Sequence, residues 1–161
     1  MRPRFHLAFP VRDISEARAF YGDLLGCPEA RSSEEWVDFD FFGHQIVAHL
    51  SPNEITHKAH NRVDGENVPL RHFGVILSFA AWQTLADKLS AAAVSFIIKP
   101  GVRFKGEPGE QATFILADPS GNALEFKALL VSRIRDSLRF ISGPFEFRNR
   151  QDTSQTIDAR A

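Results

Sequence analysis

Cysteine occurs once in 161 residues, at position 27, which excludes an internal disulfide and points to a reducing compartment. An excess of charge of either sign is also lacking. Nineteen Lys and Arg stand against 20 Asp and Glu, so no basic stripe is available to track phosphates, and nucleic acid is not an expected partner. No apolar run approaches the length of a membrane span, so a membrane is not expected either. The opening MRPRFHLAFPV is too short an apolar stretch for the hydrophobic region of a signal peptide. A cytoplasmic location is therefore the expectation. What is present is ordinary for a globular chain: 43% hydrophobic residues, with 15 Phe set into apolar runs that read as core.

Two segments of the chain share one plan. RFHLAFPV at 4–11 reads as a strand, followed by helix-start signals at Asp13 and Ser15. Ala17, Phe20, Tyr21, Leu24 and Leu25 then line one helical face, and Gly26 supplies the stop. EEWVDFDFFGHQIVAHL follows as two strands joined at Gly43, with Asp38 and Asp40 alternating with apolar residues. The second unit repeats this: RHFGVILS as a strand, a helix carrying Trp82, Leu85, Ala86 and Leu89, then VSFIIKP, QATFILADP and NALEFKALL as strands. His6 and His72 stand 66 residues apart in equivalent strands, which implies duplication of one supersecondary module. Residues 51–70 hold two prolines, show no sustained period and read as a loop. GVRFKGEPGEQ is expected as a glycine-rich loop and ADPSGN as a tight hairpin turn. The division is thus a single domain at 1–130, with module one at about 4–50, a connector at 51–70 and module two at about 71–129. A partly mobile C-terminal extension is expected at 131–161.

Three residues in these strands carry metal chemistry. His6 and His72 occupy repeat-related positions, and a pseudo-twofold relation between the halves would bring them face to face. Glu125 lies between Leu124 and Phe126, so it points away from both, onto the opposite face of its strand. An isolated carboxylate buried there would be costly, and a cation would relieve it. Two imidazoles and one carboxylate make a set that holds a divalent ion while leaving coordination positions open.

The His of strand one, the run ARAFYGDLLG in helix one, the second His, and DPSGNALE together resemble the vicinal oxygen chelate superfamily. That superfamily includes glyoxalase I, extradiol dioxygenases, fosfomycin-modifying transferases, epimerases and bleomycin-binding proteins. The resemblance covers roughly residues 4–129 and is closest to short extradiol-dioxygenase-like proteins. It implies an α+β fold: two tandem βαβββ modules forming an open, cupped mixed sheet with the helices outside. It also implies that His6, His72 and Glu125 are metal ligands inside the cup. The expected cofactor is a divalent metal, Fe(II) first, with Mn, Zn or Ni as alternatives. The partners implied are a small-molecule substrate and a second copy of the chain in a homodimer. Whether the cup closes within one chain or between two stays open at this point.

The fourth coordination position separates members of that superfamily. Aligning the hairpin glycines Gly43 and Gly121 sets Val47 opposite Glu125, and valine does not bind metal. A triad with open positions suits a dioxygenase of extradiol type acting on a catechol-like substrate. His49, two residues further along, is either a fourth ligand through a bulge or register shift, or a catalytic acid/base, with His44 competing for the second role. A glyoxalase- or epimerase-type reaction is the alternative, and a non-catalytic binding protein a third. Extradiol enzymes commonly place a tyrosine where this chain has Ile115. Among other residues, His57 and His60 read as solvated loop histidines and Trp36 and Trp82 as core. Arg103 and Lys105 read either as a clamp on an anionic substrate or as solvated, and Cys27 has no catalytic partner in view.

Overall fold

The computed structural model describes residues 3–54, 59–63 and 65–130. His57 and the extension at 131–161 lie outside the described residues. Module one runs β1 (His6–Val11), helix α1 (Ile14–Ala17, continued by a π-helical stretch Arg18–Leu24), β2 (Glu29–Ser32), β3 (Trp36–Phe41) and β4 (His44–Leu50). Module two runs β7 (His72–Leu77), α2 (Phe79–Ala91), β8 (Phe96–Arg103), β9 (Gln111–Ala117) and β10 (Ala123–Leu129). Each module closes a four-stranded mixed sheet in the same order, β1-β4-β3-β2 and β7-β10-β9-β8. In both, the first strand pairs parallel with the last, as a βαβββ unit requires. Among the described residues, no helix is long and apolar enough to cross a membrane.

Local chemistry explains the elements. Asp13 caps α1 by accepting the Glu16 amide at 2.9 Å, and Ser78 caps α2 through the Ala81 amide. Gly26 (φ 78°) and Gly43 (φ 91°) take the left-handed backbone that ends α1 and turns β3 into β4.

The connector differs from expectation. Among its described residues, His60–Val63 (β5) and Glu66–Pro69 (β6) form an antiparallel hairpin rather than a loop. Its strands are largely exposed and lack alternation, which is why no period marks them. The hairpin turns at Gly65 (φ 79°) and is fastened by Val68, packed against Ile98, Ile115 and Ala123, and by Arg103, whose guanidinium donates to the Val63 carbonyl.

One core serves both modules. Phe9, Val11, Val37, Phe39, Phe41, Ile46 and Ala48 from the first sheet join Phe114, Leu116, Leu124 and Phe126 from the second, together with the apolar faces of both helices. Phe41 of β3 meets Phe73 and Phe126, and Phe9 meets Phe73, each pair with ring centroids within 6 Å. Two intervening strands separate β3 from the edge of module two along the sheets. Contact between Phe41 and Phe126 therefore requires the two sheets to pack by their helix-covered faces, not edge to edge. The other face of each sheet points away from this core. The chain thus holds two four-stranded mixed sheets, open on their outward faces, in the expected plan of two βαβββ modules.

Candidate metal centre

In β10 the alternation puts Leu124 and Phe126 in the core and Glu125 on the outward face, where it is nonetheless only 6% exposed. Thr113, on β9, donates its hydroxyl to Glu125 Oε1 at 2.9 Å. The other oxygen, Oε2, lies 3.1 Å from His72 Nε2 and 3.1 Å from Lys127 Nζ. His72 opens β7 opposite Ala123, two residues along the ladder before Gly74 faces Glu125. Its Nδ1 sits 2.6 Å from the Pro69 carbonyl, an acceptor with no proton to give. Nδ1 therefore carries a hydrogen, and Nε2 is the ring nitrogen that faces the carboxylate. His72, Glu125 and Lys127 line an open pocket of about 230 Å³ with Phe73, Gly74, Val75 and Ile76.

The geometry fits a metal. Two donors bound about 2.1 Å from one ion at right angles lie about 3 Å apart, and His72 Nε2 and Glu125 Oε2 are at 3.1 Å. Thr113 fixes the carboxylate in the orientation that presents Oε2 to His72 and Lys127.

His6 does not join this pair within the chain. It stands on the outward face of the first sheet, exposed, its Nδ1 2.9 Å from Gln45 Oε1. It lines a separate pocket of about 430 Å³ with Arg31, Asp38, His44 and Gln45 among others. Among the described residues, no three His, Cys, Asp or Glu side chains are grouped closely enough to share an ion.

The remaining candidates are also placed. The β1–β4 ladder runs without a bulge from His6↔Gln45 to Val11↔Leu50, so no register shift moves His49. His49 sits opposite Pro10, four residues past Gln45, about 13 Å further along the strand. Val47, buried, pairs with Ala8 and holds the place that Glu125 holds in module two. His44 lines the His6 pocket, and its Nδ1 accepts the Phe5 amide at 3.1 Å, leaving the ring proton on Nε2.

Trp82 is buried, donating its indole N–H to the Phe126 carbonyl; Trp36 is half-buried beneath the Arg31 guanidinium. His60 is exposed on β5. Arg103 is tied to the hairpin, and Lys105 is exposed in the loop. Cys27 is buried, and burial pushes its thiol up to about 12, which removes it as a nucleophile at neutral pH. Sequence reasoning passed over Gln45, Thr113, Lys127 and Gly74. Of these, only Gly74, a glycine inside a strand pattern, carried a sequence signal.

A model of the Glyoxalase/Bleomycin resistance protein/Dioxygenase superfamily matches residues 5–126. Among solved structures, a glyoxalase/bleomycin resistance protein/dioxygenase from Alicyclobacillus acidocaldarius is similar at 35% identity and a TM-score of 0.69, over 83% of this chain and 96% of that one. A putative glyoxalase family protein from Bacillus anthracis shares the fold at 20% identity (TM-score 0.57; 81% and 97% covered). So does the fosfomycin resistance protein FosX from Listeria monocytogenes, at 17% (TM-score 0.59; 81% and 96%). No curated protein matches the chain. With its duplicated βαβββ plan and a family match across both modules, this chain belongs to the glyoxalase/bleomycin resistance protein/dioxygenase, or vicinal oxygen chelate, superfamily.

Proposed function

We propose that the protein is a metal-dependent dioxygenase of extradiol type, acting on a small substrate with vicinal oxygens. Its ligand set would be His72 and Glu125 of one chain with His6 of a second copy. The observation that carries the reading is the convergence of His72 Nε2 and Glu125 Oε2 at 3.1 Å, with Val47 at the position where a fourth protein ligand would stand.

A divalent ion held there supplies Lewis acidity toward vicinal oxygens and, as Fe(II), a redox partner for dioxygen. The chain supplies the rest. Thr113 and the Pro69 carbonyl hold the two ligands in place. Val75 and Ile76, which line the pocket beside Glu125, offer apolar surface to an aromatic ring. Lys127 offers a positive charge to an anionic substrate oxygen once Glu125 is engaged elsewhere. His44, with its proton on Nε2 and its place in the His6 pocket, is better set than the exposed His49 to move a proton.

The test is an anaerobic Fe(II) titration followed by nitric oxide binding and oxygen uptake over a panel of catechols. Nitric oxide should bind the iron-loaded protein, and a catechol should strengthen that binding. Conversion of a glutathione hemithioacetal by Zn- or Ni-loaded protein, with no oxygen consumed on any catechol, would replace this reading by the glyoxalase type.

A further inference from the structure

Four side chains on the outward side of module one are joined end to end. Asp38 is 3% exposed, and its Oδ2 accepts from Arg31 Nη2 at 3.0 Å, Arg31 Nε at 3.2 Å and Gln45 Nε2 at 3.1 Å. The other end of the Gln45 amide, Oε1, lies 2.9 Å from His6 Nδ1. We propose that Gln45 is a positioning residue that holds His6 as the Nδ1–H tautomer, and that Asp38, paired with Arg31, dictates which way Gln45 points.

An ion-paired carboxylate only accepts, whereas a carboxamide has one donating and one accepting end. Reversing the amide would set Gln45 Oε1 against Asp38 Oδ2, two acceptors in contact in a buried place, at the cost of a lost charge-assisted bond. Nε2 therefore faces Asp38 and Oε1 faces His6. An acceptor at His6 Nδ1 requires that nitrogen to carry the hydrogen, so the lone pair of the ring resides on Nε2. Module two reaches the same tautomer by different means, since the Pro69 carbonyl fixes Nδ1–H on His72. The two repeat-related histidines thus both present Nε2, although the residues that enforce it are unrelated. Asp38 acts on His6 across Gln45 without being its hydrogen-bond partner, and no motif in the sequence marks either residue.

The consequence for metal binding rests on the function proposed above; the tautomer does not. Both are read on the full chain. Long-range ¹H–¹⁵N correlation of metal-free, ¹⁵N-histidine-labelled protein at a pH where the imidazoles are neutral should show His6 as a single Nδ1–H form. Gln45→Leu should abolish that signature, and Asp38→Leu should convert it to a tautomer mixture although Asp38 is not bonded to the ring. A wild-type His6 in the Nε2–H form would overturn the proposal, as would an unchanged His6 pattern in a folded Asp38→Leu variant. Should Asp38→Leu fail to fold, Gln45→Leu and the wild-type spectrum decide. Zn(II) titration of the same samples reads the metal separately: an affinity loss of about 10–100-fold in Gln45→Leu is expected of a group that orients a ligand. A shifted tautomer with unchanged Zn(II) affinity would leave the relay standing and count against His6 as a ligand.

Discussion

Glu125 owes its setting to a residue with no side chain. Gly74 faces it across the parallel β7–β10 ladder, and a Cβ built on Gly74 would fall 1.6 Å from the Glu125 carbonyl oxygen. That contact is with backbone, so relief requires moving a strand. Gly74→Ala is expected to cost on the order of 3 kcal/mol in urea denaturation. It should weaken Zn(II) binding more than an equally destabilising core truncation such as Leu89→Ala, because the displaced strand carries His72. Equal losses in the two variants would mean that Gly74 serves packing alone. At this scale the sequence was legible where alternation speaks: Glu125 between Leu124 and Phe126 pointed outward as expected. It was silent on Gln45, Thr113 and Lys127, because polar residues alternating on an outward strand face look the same whether they hold a ligand or meet water.

Among elements, the turn between β9 and β10 does more than reverse the chain. Asp118 Oδ1 accepts the Ser120 and Asn122 amides, while Oδ2 accepts the Asn122 side chain and the Tyr21 hydroxyl at 3.0 Å. Tyr21 belongs to α1, so this carboxyl ties module one to module two. Ser120 and Asn122 add bonds to the Arg12 amide and the Pro10 carbonyl. Burial raises the Asp118 carboxyl above its ordinary range, an effect its hydrogen-bond donors only partly offset. The sign follows: a carboxyl raised in the folded state contributes stability that is full below its unfolded value and is lost as pH rises through the folded one. Tyr21→Phe should cost roughly 1.5–3 kcal/mol at pH 7, where the bond is charge-assisted, and less in acid, where the raised carboxyl protonates sooner than an ordinary one. Denaturant midpoints at pH 7 and in acid check this, and a pH-independent loss would show that Asp118 stays in one protonation state across the range. The turn was legible from its Pro and Gly, but its role between modules was not, since no local pattern records a partner 97 residues away. Helix α1 was legible by its apolar face, whereas its π-helical continuation, closed by the Leu25 amide on the Phe20 carbonyl at 2.9 Å, leaves no compositional trace.

At the level of the whole molecule, the repeat was readable from the sequence and the relation between its halves was not. Duplicated modules can join by their edges or by their helix-covered faces, and both choices bury the same apolar residues. Contacts such as Phe41 with Phe126 select the second, which sends His6 and the His72–Glu125 pair onto separate outward faces. Ile76, on the face that carries His72 and Glu125, is left 57% exposed. If a twofold pair builds each centre from His6 of one chain with His72 and Glu125 of the other, two inactive variants should complement each other. His6→Ala and Glu125→Ala should each lose high-affinity metal binding alone. Co-expressed, random pairing makes half the dimers mixed, and each mixed dimer has one intact centre of two, so about a quarter of the wild-type metal stoichiometry should return. Sedimentation of the co-purified sample confirms that mixed dimers are present. Mixed dimers without recovered metal would place His6 outside the centre or show that each chain completes its own, and either result would remove the shared site.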